Sequence, residues 1–245
     1  MKIVGFSSLD KTMLLFPPLE LLSLVGDMSL RLGARSCIGR WEGEAYFPCD
    51  SPEWPTCVSC REFNPCAVCG GVCLKGEKTC LEPHAVYLAM FRPNIVKIGV
   101  AKASRLRDRL TEQGADIAAV VEYAADGELA RRKERELQQR YRIKGNVRYS
   151  QKQQIDTELD WDAWSGWKAR LDAGDEVTLR YFDEQPWMRP LRVKDVLAGR
   201  VLGLKGRMLV FEKGATLYSL DLNDALGAEV SPINASRRQV SLNSF

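Results

Sequence analysis

The sequence predicts a protein of the α+β class, and three observations lead to this prediction. Two apolar runs, at 86–91 and 95–100, flank the turn sequence RPN, which is typical of a β-hairpin. Stretches in which apolar residues have helical spacing follow this hairpin. Both ends of the chain consist of short strand-like runs that are separated by glycines and prolines.

Five parts can be distinguished along the chain. The first and the last are rich in strand-like runs, and we expect them to join in one barrel or sandwich, with the other parts inserted between them. The predicted parts are an N-terminal β part (1–48), a cysteine-rich segment (49–84), a strand–strand–helix–strand–helix unit (85–150), an amphipathic helix region (151–175) and a C-terminal β-rich part (176–245).

Capping residues set the predicted limits of the helices in the 85–150 unit. Ser104 suits the N-cap of the first helix and Gly114 its end, while Asp126 suits the N-cap of a second, longer helix. Residues 117–123 predict the strand between them. Tryptophans recur at three-residue spacing from Trp161, which predicts one more amphipathic helix whose tryptophans pack in a core.

Composition and charge narrow the possible classes of function. Of the 245 residues, 45% are hydrophobic and 27% are charged, as is typical of a globular protein. No apolar run reaches the roughly 20 residues that a membrane-spanning helix needs, and the N-terminus lacks the pattern of a signal peptide. We therefore expect a cytoplasmic protein without a membrane partner.

Seven of the eight cysteines and the single histidine lie between residues 49 and 84. The CxxC motifs at 57–60 and 66–69 suit tetrahedral zinc, because two intervening residues let both thiolates reach one ion. We expect two structural zinc ions in interleaved four-thiolate sites, and the pairing of the ligands stays open. The expected ligands are Cys37, Cys49, Cys57, Cys60, Cys66, Cys69, Cys73 and Cys80, with His84 able to replace any one of them.

An iron–sulfur cluster is the alternative for this segment. The sequence CAVCGGVC contains a C-x2-C-x3-C run, but it lacks the common C-x2-C-x2-C series that is followed by C-P. Zinc is therefore favoured. Closed all-thiolate zinc sites organise a segment and perform no chemistry, so the expected role is structural. If His84 is not a ligand, we expect it to be a packing residue.

Residues 84–146 resemble the GIY-YIG nuclease superfamily. The resemblance lies in AVY at 85–87, KIG at 97–99, the arginines of the next helix, and AxxxExxLxxxY at 130–141. Lysine replaces the tyrosine of the second motif, as in some phage-type members. The whole chain also resembles an uncharacterised prokaryotic family of unknown function, in which a zinc-like cluster precedes YLA, KIGV and QGA.

The superfamily resemblance implies roles for four residues near the hairpin. Tyr87 matches the first motif's tyrosine, which acts as a general base or positions water. Lys97 stands where the second motif's tyrosine usually lies, and Gly99 matches the glycine that lets the backbone pack closely. Gln113 falls where many members have histidine, so two members of the usual set are changed.

The same resemblance implies a phosphate-binding arginine and a metal-binding carboxylate. Arg105 or Arg109 takes the place of the arginine at the scissile phosphate, and Arg107 is a further choice. Glu134 matches the glutamate that holds the divalent metal, Mg²⁺ or Mn²⁺. A divalent cation and a guanidinium both stabilise the charge that develops on phosphate oxygens during hydrolysis.

Basic residues between 127 and 148 point to a nucleic-acid partner. This stretch has eight Lys or Arg and three Glu, although the net charge of the chain is only +3. Tyr141 lies within it and Tyr149 directly follows it, and an aromatic ring can stack on an unpaired base. The sequence does not separate DNA from RNA. The expected binding residues are Arg131, Arg132, Lys133, Arg135, Arg140, Arg142, Lys144 and Arg148.

Three functions follow from these features. A metal-dependent endonuclease for structured DNA or RNA needs Tyr87, Lys97, Arg109 and Glu134 to converge on one cleft. A non-catalytic RNA- or ribosome-associated protein would use the fold for phosphate recognition, with binding that depends steeply on salt. A third, weaker alternative is an iron–sulfur redox or sensor protein.

Overall fold

The computed structural model describes residues 1–61, 79–182, 191–193 and 196–232, and it confirms a mixed α+β fold rich in strands. The strands are β1 (Lys2–Ser7), β2 (Thr12–Phe16), β3 (Glu20–Ser23), β4 (Gly26–Arg35), β5 (Arg40–Glu42), β6 (Ala45–Phe47), β7 (His84–Phe91), β8 (Ile95–Lys102), β9 (Ile117–Ala124), β10 (Glu176–Thr178), β11 (Leu191–Val193), β12 (Val196–Lys205), β13 (Met208–Lys213), β14 (Thr216–Asp221) and β15 (Ala228–Pro232). The helices are α1 (Leu106–Gln113), α2 (Gly127–Tyr141), α3 (Tyr149–Lys152), α4 (Trp161–Leu171) and α5 (Leu222–Ala225).

A nine-stranded sheet contains strands from both ends of the chain. Its order is β11-β14-β13-β12-β4-β15-β1-β2-β3, and all neighbours are antiparallel except the parallel pair β11–β14. We expected a barrel or sandwich; the structure gives a single sheet in this linear order, in which β4 joins strands from the two ends of the chain because it pairs directly with β12 and β15. Ile3, Met13, Leu209 and Phe211 contribute to its buried core.

The second sheet has the strand order β10-β9-β7-β8. Along the chain, β7, β8, α1, β9 and α2 follow one another in the predicted succession of strand, strand, helix, strand and helix. Every residue of β7 is buried, as the unbroken apolar run that follows His84 suggests. Asp126 caps α2 by accepting hydrogen bonds from backbone amides, and Gly114 ends α1 in the left-handed conformation. The N-cap prediction for α1 is wrong: Ser104 lies inside the 3₁₀ turn Ala103–Arg105, and α1 begins after it.

Both faces of the four-stranded sheet are covered. One face shares a buried cluster with α1 and the nine-stranded sheet, to which Tyr87, Leu110 and Val210 belong. The other face packs against α2 and α4 through Leu137 and Trp164. Core packing of the tryptophans is confirmed for Trp164, which is buried, whereas Trp161 is exposed.

None of the helices in the described part of the chain is long and apolar enough to cross a membrane.

Candidate metal centre and cationic cluster

Four cysteines gather at one end of the nine-stranded sheet. The sulfurs of Cys37, Cys49, Cys57 and Cys60 all lie within 4.8 Å of one another, and three of these residues are buried. Long-range backbone hydrogen bonds bring the two segments together, since the amide of Cys37 donates to the carbonyl of Ser51 at 2.8 Å. These four residues lie close enough to bind one metal ion.

The surroundings of the four sulfurs fit a metal-bound thiolate centre. The backbone amides of Gly39 and Cys57 both point to the sulfur of Cys37, at 3.4 and 3.3 Å. Such N–H···S hydrogen bonds stabilise a thiolate, and metal ligands are commonly held by a second layer of hydrogen bonds of this kind. Four mutually close sulfurs with this support match the all-cysteine structural zinc site.

The thiols influence one another's ionisation. Burial opposes the ionisation of Cys57, but hydrogen bonds from the neighbouring thiols outweigh burial and lower the pKa of Cys57 to about 7. Burial and the same neighbours raise the pKa of Cys60 to about 12. The cluster therefore accepts one negative charge readily and resists the next, which a bound cation would relieve.

The four clustered cysteines are the first four cysteines along the chain. The expectation of two interleaved sites stays a prediction, because it also depends on cysteines outside the described residues. The CxxC pair at 57–60 combines with cysteines that precede it, because backbone pairing between the segments around residues 37 and 51 brings Cys37 and Cys49 alongside. Cys66, Cys69 and Cys73 lie outside the described residues.

His84 and Cys80 lie near each other and do not belong to the group of four clustered cysteines. Both approach Gly127 at the start of α2, where an added Cβ would meet the His84 ring at 3.1 Å and the Cys80 Cβ at 3.4 Å. The Nδ1 atom of His84 lies 2.6 Å from the carbonyl oxygen of Glu82. A carbonyl only accepts, so Nδ1 carries the hydrogen and Nε2 is the ring nitrogen that remains able to accept or ligate.

Tyr87 lies at the centre of β7 and is fully buried. It pairs with Gly99 across the hairpin, and a Cβ at that glycine would lie 2.5 Å from the Tyr87 hydroxyl oxygen. Gln113 donates a hydrogen bond of 2.8 Å to the same oxygen. Burial is the main reason why the pKa of Tyr87 rises to about 12, so this hydroxyl keeps its proton at neutral pH.

Lys97, Arg109 and Glu134 surround the same end of the hairpin, although they come from β8, α1 and α2. Burial lowers the pKa of Lys97, the charge of Arg109 lowers it further, and Glu134 opposes both. Burial raises the pKa of Glu134, while Lys97 and two arginines of α2 act in the opposite direction. The charges of Arg109 and Glu134 also act on Tyr87, so electrostatic interactions connect these four predicted residues.

The structure separates the three arginines that the sequence left as alternatives. The guanidinium groups of Arg105 and Arg109 lie 3.0 and 3.1 Å from the carboxylate of Glu112. Of the three, Arg109 is the one whose charge acts on Tyr87 and Lys97. Arg107 acts instead on the buried Tyr181, on another side of α1.

Of the eight predicted basic residues, seven have exposed side chains and one, Lys133, is half-buried beside two carboxylates. Arg131 and Arg135 lie on the face of α2 that carries Glu134, and their charges act on its carboxylate. Lys133 lies within 4 Å of carboxylates of Glu122 and Glu136. The residues with exposed side chains are Arg131, Arg132, Arg135, Arg140, Arg142, Lys144 and Arg148.

The two tyrosines within the basic stretch make contacts inside the protein. Tyr141 donates a hydrogen bond of 3.1 Å to the carbonyl of Arg170 and packs edge-on against Trp167. The guanidinium of Arg207 lies over the ring of Tyr149, 5.5 Å from its centroid. Both rings therefore already have packing roles.

Sequence reasoning missed Lys152, which adds a further cation. Its ammonium donates a hydrogen bond of 2.6 Å to the carbonyl of Gln113 and lies 5.0 Å from the centroid of the Phe91 ring. Burial lowers the pKa of Lys152 to about 8, and repulsion from Lys97 and Arg207 adds to the effect. We call this group of three cations and one carboxylate the cationic cluster: Lys97, Arg109, Lys152 and Glu134.

No local pattern in the sequence connects Lys152 with Lys97, because the two lie 55 residues apart. The sequence offers only a weak signal for Lys152, namely that it ends the short stretch YSQK, which begins with a tyrosine and follows the basic helix.

A family model described as "Protein of unknown function (DUF2797)" matches residues 47–167. The matched part includes all four members of the cationic cluster and three of the four clustered cysteines, but not Cys37. No curated protein and no solved structure matches the chain. The resemblance to the GIY-YIG superfamily stays a prediction.

Proposed function

We propose that this chain is a zinc protein that binds the phosphate backbone of a nucleic acid at the cationic cluster. The observation that carries the proposal is that Arg109, Glu134 and Lys152 each interact electrostatically with one residue, Lys97. Two of the three cations are partly buried, and their pKa values are lowered. Partly buried like charges repel each other, so an anion that enters between them is strongly favoured.

Phosphate is the anion that best fits this arrangement. The ammonium of Lys97 interacts with a guanidinium and a second ammonium from two other elements, and a phosphodiester offers oxygens that accept hydrogen bonds from several directions. The exposed arginines of α2 continue the positive charge away from the cluster. An extended polyanion would contact both, which favours a nucleic-acid strand over a single small phosphate compound.

Zinc is the proposed ion for Cys37, Cys49, Cys57 and Cys60. Four thiolates around one ion form the closed structural type of site, in which no coordination position is left for a substrate. Its proposed role is to fix the 37–60 segment against the nine-stranded sheet.

Binding should be measured as a function of salt, with a branched DNA and a structured RNA as probes. We expect the slope of log K against log [KCl] to fall by about 0.7 to 0.9 for Arg109→Ala, because one phosphate contact is lost. Arg107→Ala is the matched control, since it removes the same charge from the same helix on a side away from Tyr87 and Lys97. Equal losses for the two variants, or no binding of either probe by the parent protein, would refute the proposal.

Phosphodiester hydrolysis is the second candidate function, and the position of Glu134 is the observation that favours it. Its carboxylate is the acidic group that acts on both Tyr87 and Lys97. Mg²⁺ can be held by one or two carboxylates together with substrate phosphates. Because Lys97, Arg131 and Arg135 also surround Glu134, a divalent cation fits there only when a phosphate offsets those charges. Bound in this way, the ion would stabilise negative charge on the phosphate.

Cleavage of the same DNA and RNA probes with Mg²⁺ or Mn²⁺ tests this candidate. Glu134→Gln should abolish any cleavage and keep binding, whereas Glu136→Gln, an exposed neighbour on α2, should keep both. Binding without metal-dependent cleavage by the parent protein would leave the binding function and remove hydrolysis.

A further inference from the structure

Lys2 is a buried lysine that contacts the backbone of two clustered cysteines. It lies on β1 and is 8% exposed. Its ammonium donates hydrogen bonds to the carbonyl oxygens of Cys37 and Cys49, at 2.8 and 2.7 Å. A third hydrogen bond, of 3.3 Å, reaches the hydroxyl of Ser36. All three ammonium hydrogens are therefore used to hold the two chain segments that carry these cysteines.

The nearest carboxylate does not explain why a cation is buried here. Asp50 lies 3.5 Å from the ammonium, but its side chain is fully exposed to solvent. Exposed ion pairs contribute little because water screens them. A buried ammonium needs a stronger source of negative charge nearby.

The loaded metal centre supplies that charge. Four thiolates and one divalent cation have a net charge of −2, and this charge belongs to the centre as a whole. Lys2 lies on the side of Cys37 and Cys49 and would offset part of this charge. Arg40 interacts with Cys60, but Glu42, 2.7 Å from its guanidinium, already offsets the charge of Arg40.

Lys2 also connects the centre with the nine-stranded sheet. Lys2 pairs with Phe16 of β2 and with Glu229 of β15. The amide of Gly227 donates to the carbonyl of Ile3 at 2.7 Å, and the Gly227 carbonyl accepts from the amide of Ser36 at 3.1 Å. Movement of the cysteine-bearing segments would thus be transmitted to β1 and β15.

We infer that Lys2 is a positioning residue of the metal centre: it holds the Cys37 and Cys49 segments in register, offsets the charge of the thiolates, and couples metal binding to the order of β1. This inference rests on the proposed four-cysteine zinc site and is independent of nucleic-acid binding.

The test is a competition for zinc between the full-length protein and a chromogenic chelator. Lys2→Met keeps a chain of similar length without the charge, and we expect the zinc dissociation constant to rise about 10- to 100-fold, as is typical when a supporting contact of a metal ligand is removed. Lys2→Arg keeps the charge and should recover most of the affinity. Lys213→Met, at an exposed lysine of β13, is the control and should match the parent protein.

Hydrogen exchange of the β1 amides gives a second readout that does not depend on zinc affinity. Removal of the metal from the parent protein should increase exchange in β1, and Lys2→Met should show increased exchange even when loaded at high zinc concentration. A chelator curve for Lys2→Met that coincides with that of Lys213→Met would overturn the inference. A parent protein that binds no zinc would instead overturn the metal site itself.

Discussion

The ammonium of Lys205 lies 2.6 Å from the Oδ2 atom of Asp116, and this contact joins the two large sheets. Lys205 ends β12 of the nine-stranded sheet, and Asp116 directly precedes β9 of the four-stranded sheet. Both side chains are at least nine-tenths buried. Arg92 lies 3.1 Å from the other carboxylate oxygen and donates its backbone amide to Oδ2. Asp116 therefore fixes the interface between the sheets with two cations and one amide.

Replacement of Asp116 should destabilise the protein strongly. Asp116→Ala leaves Lys205 buried without its carboxylate, and removal of one partner from a buried pair costs about 3–5 kcal/mol. Lys205→Met should cost less, because Asp116 keeps its contacts with Arg92. The free energy of unfolding in urea measures both changes. Asp175→Ala, an exposed position, is the control, and a similar small loss for Asp116→Ala would contradict the role assigned to the pair.

Gly99 should not tolerate a side chain, because the ring of Tyr87 covers it. A Cβ at this position would lie 2.5 Å from the hydroxyl oxygen and 2.6 Å from Cζ of a fully buried tyrosine. We expect Gly99→Ala to lower the free energy of unfolding by about 1–3 kcal/mol, the usual cost of overpacking.

Gly166→Ala is the matched control for this substitution. Its Cβ would meet nothing within 4 Å, and alanine is favoured over glycine inside α4 by up to about 1 kcal/mol. Calorimetric melting of both variants separates crowding from a general effect of adding a methyl group. Equal melting temperatures for the two variants would show that Tyr87 can move aside.

The elements of the 85–150 unit were predictable because their signals are local. The apolar runs of β7 and β8 lie next to each other in the sequence, and Asp126 and Gly114 mark helix limits through their own backbone preferences. The grouping of Cys37 with Cys49, Cys57 and Cys60 was not predictable, because backbone pairing of residues 37–38 with Ser51 and Pro55 leaves no periodic pattern. Lys2 and Lys152 were missed for the same reason: each is an ordinary lysine until distant segments enclose it.

Nucleic-acid affinity should fall as the pH rises through about 8, because burial lowers the pKa of Lys152 to about 8. Below this pH the ammonium is charged and attracts phosphate, and above it the amine is neutral. Fluorescence anisotropy across this range should show the decline for the parent protein. Lys152→Met should bind more weakly and lose most of the decline, whereas Lys152→Arg should bind well throughout. The same pH profile in all three proteins would contradict this assignment.

Stability should change with pH in the opposite direction to affinity. The pKa of Lys152 in the folded protein lies below the ordinary lysine value of 10.5. Between these two values the unfolded chain binds more protons than the folded one, so the free energy of unfolding rises as the pH increases from about 8 toward 10.5. Urea unfolding of the parent protein should show this rise, and Lys152→Met should reduce it. An equal rise in the variant would assign the effect to other groups.

Loss of one cysteine pair should remove one metal ion per chain. Cys57→Ser combined with Cys60→Ser takes two of the four sulfurs that lie within 4.8 Å of one another, and two thiolates do not complete a tetrahedral zinc site. We expect the zinc content to fall by one ion per chain relative to the parent protein, as measured by inductively coupled plasma mass spectrometry after gel filtration. Because the amide of Gly39 donates to the sulfur of Cys37 and the ammonium of Lys2 donates to its carbonyl oxygen, the variant should also lose hydrogen-exchange protection in β1 and around Gly39. Unchanged zinc content would show that these sulfurs do not share an ion.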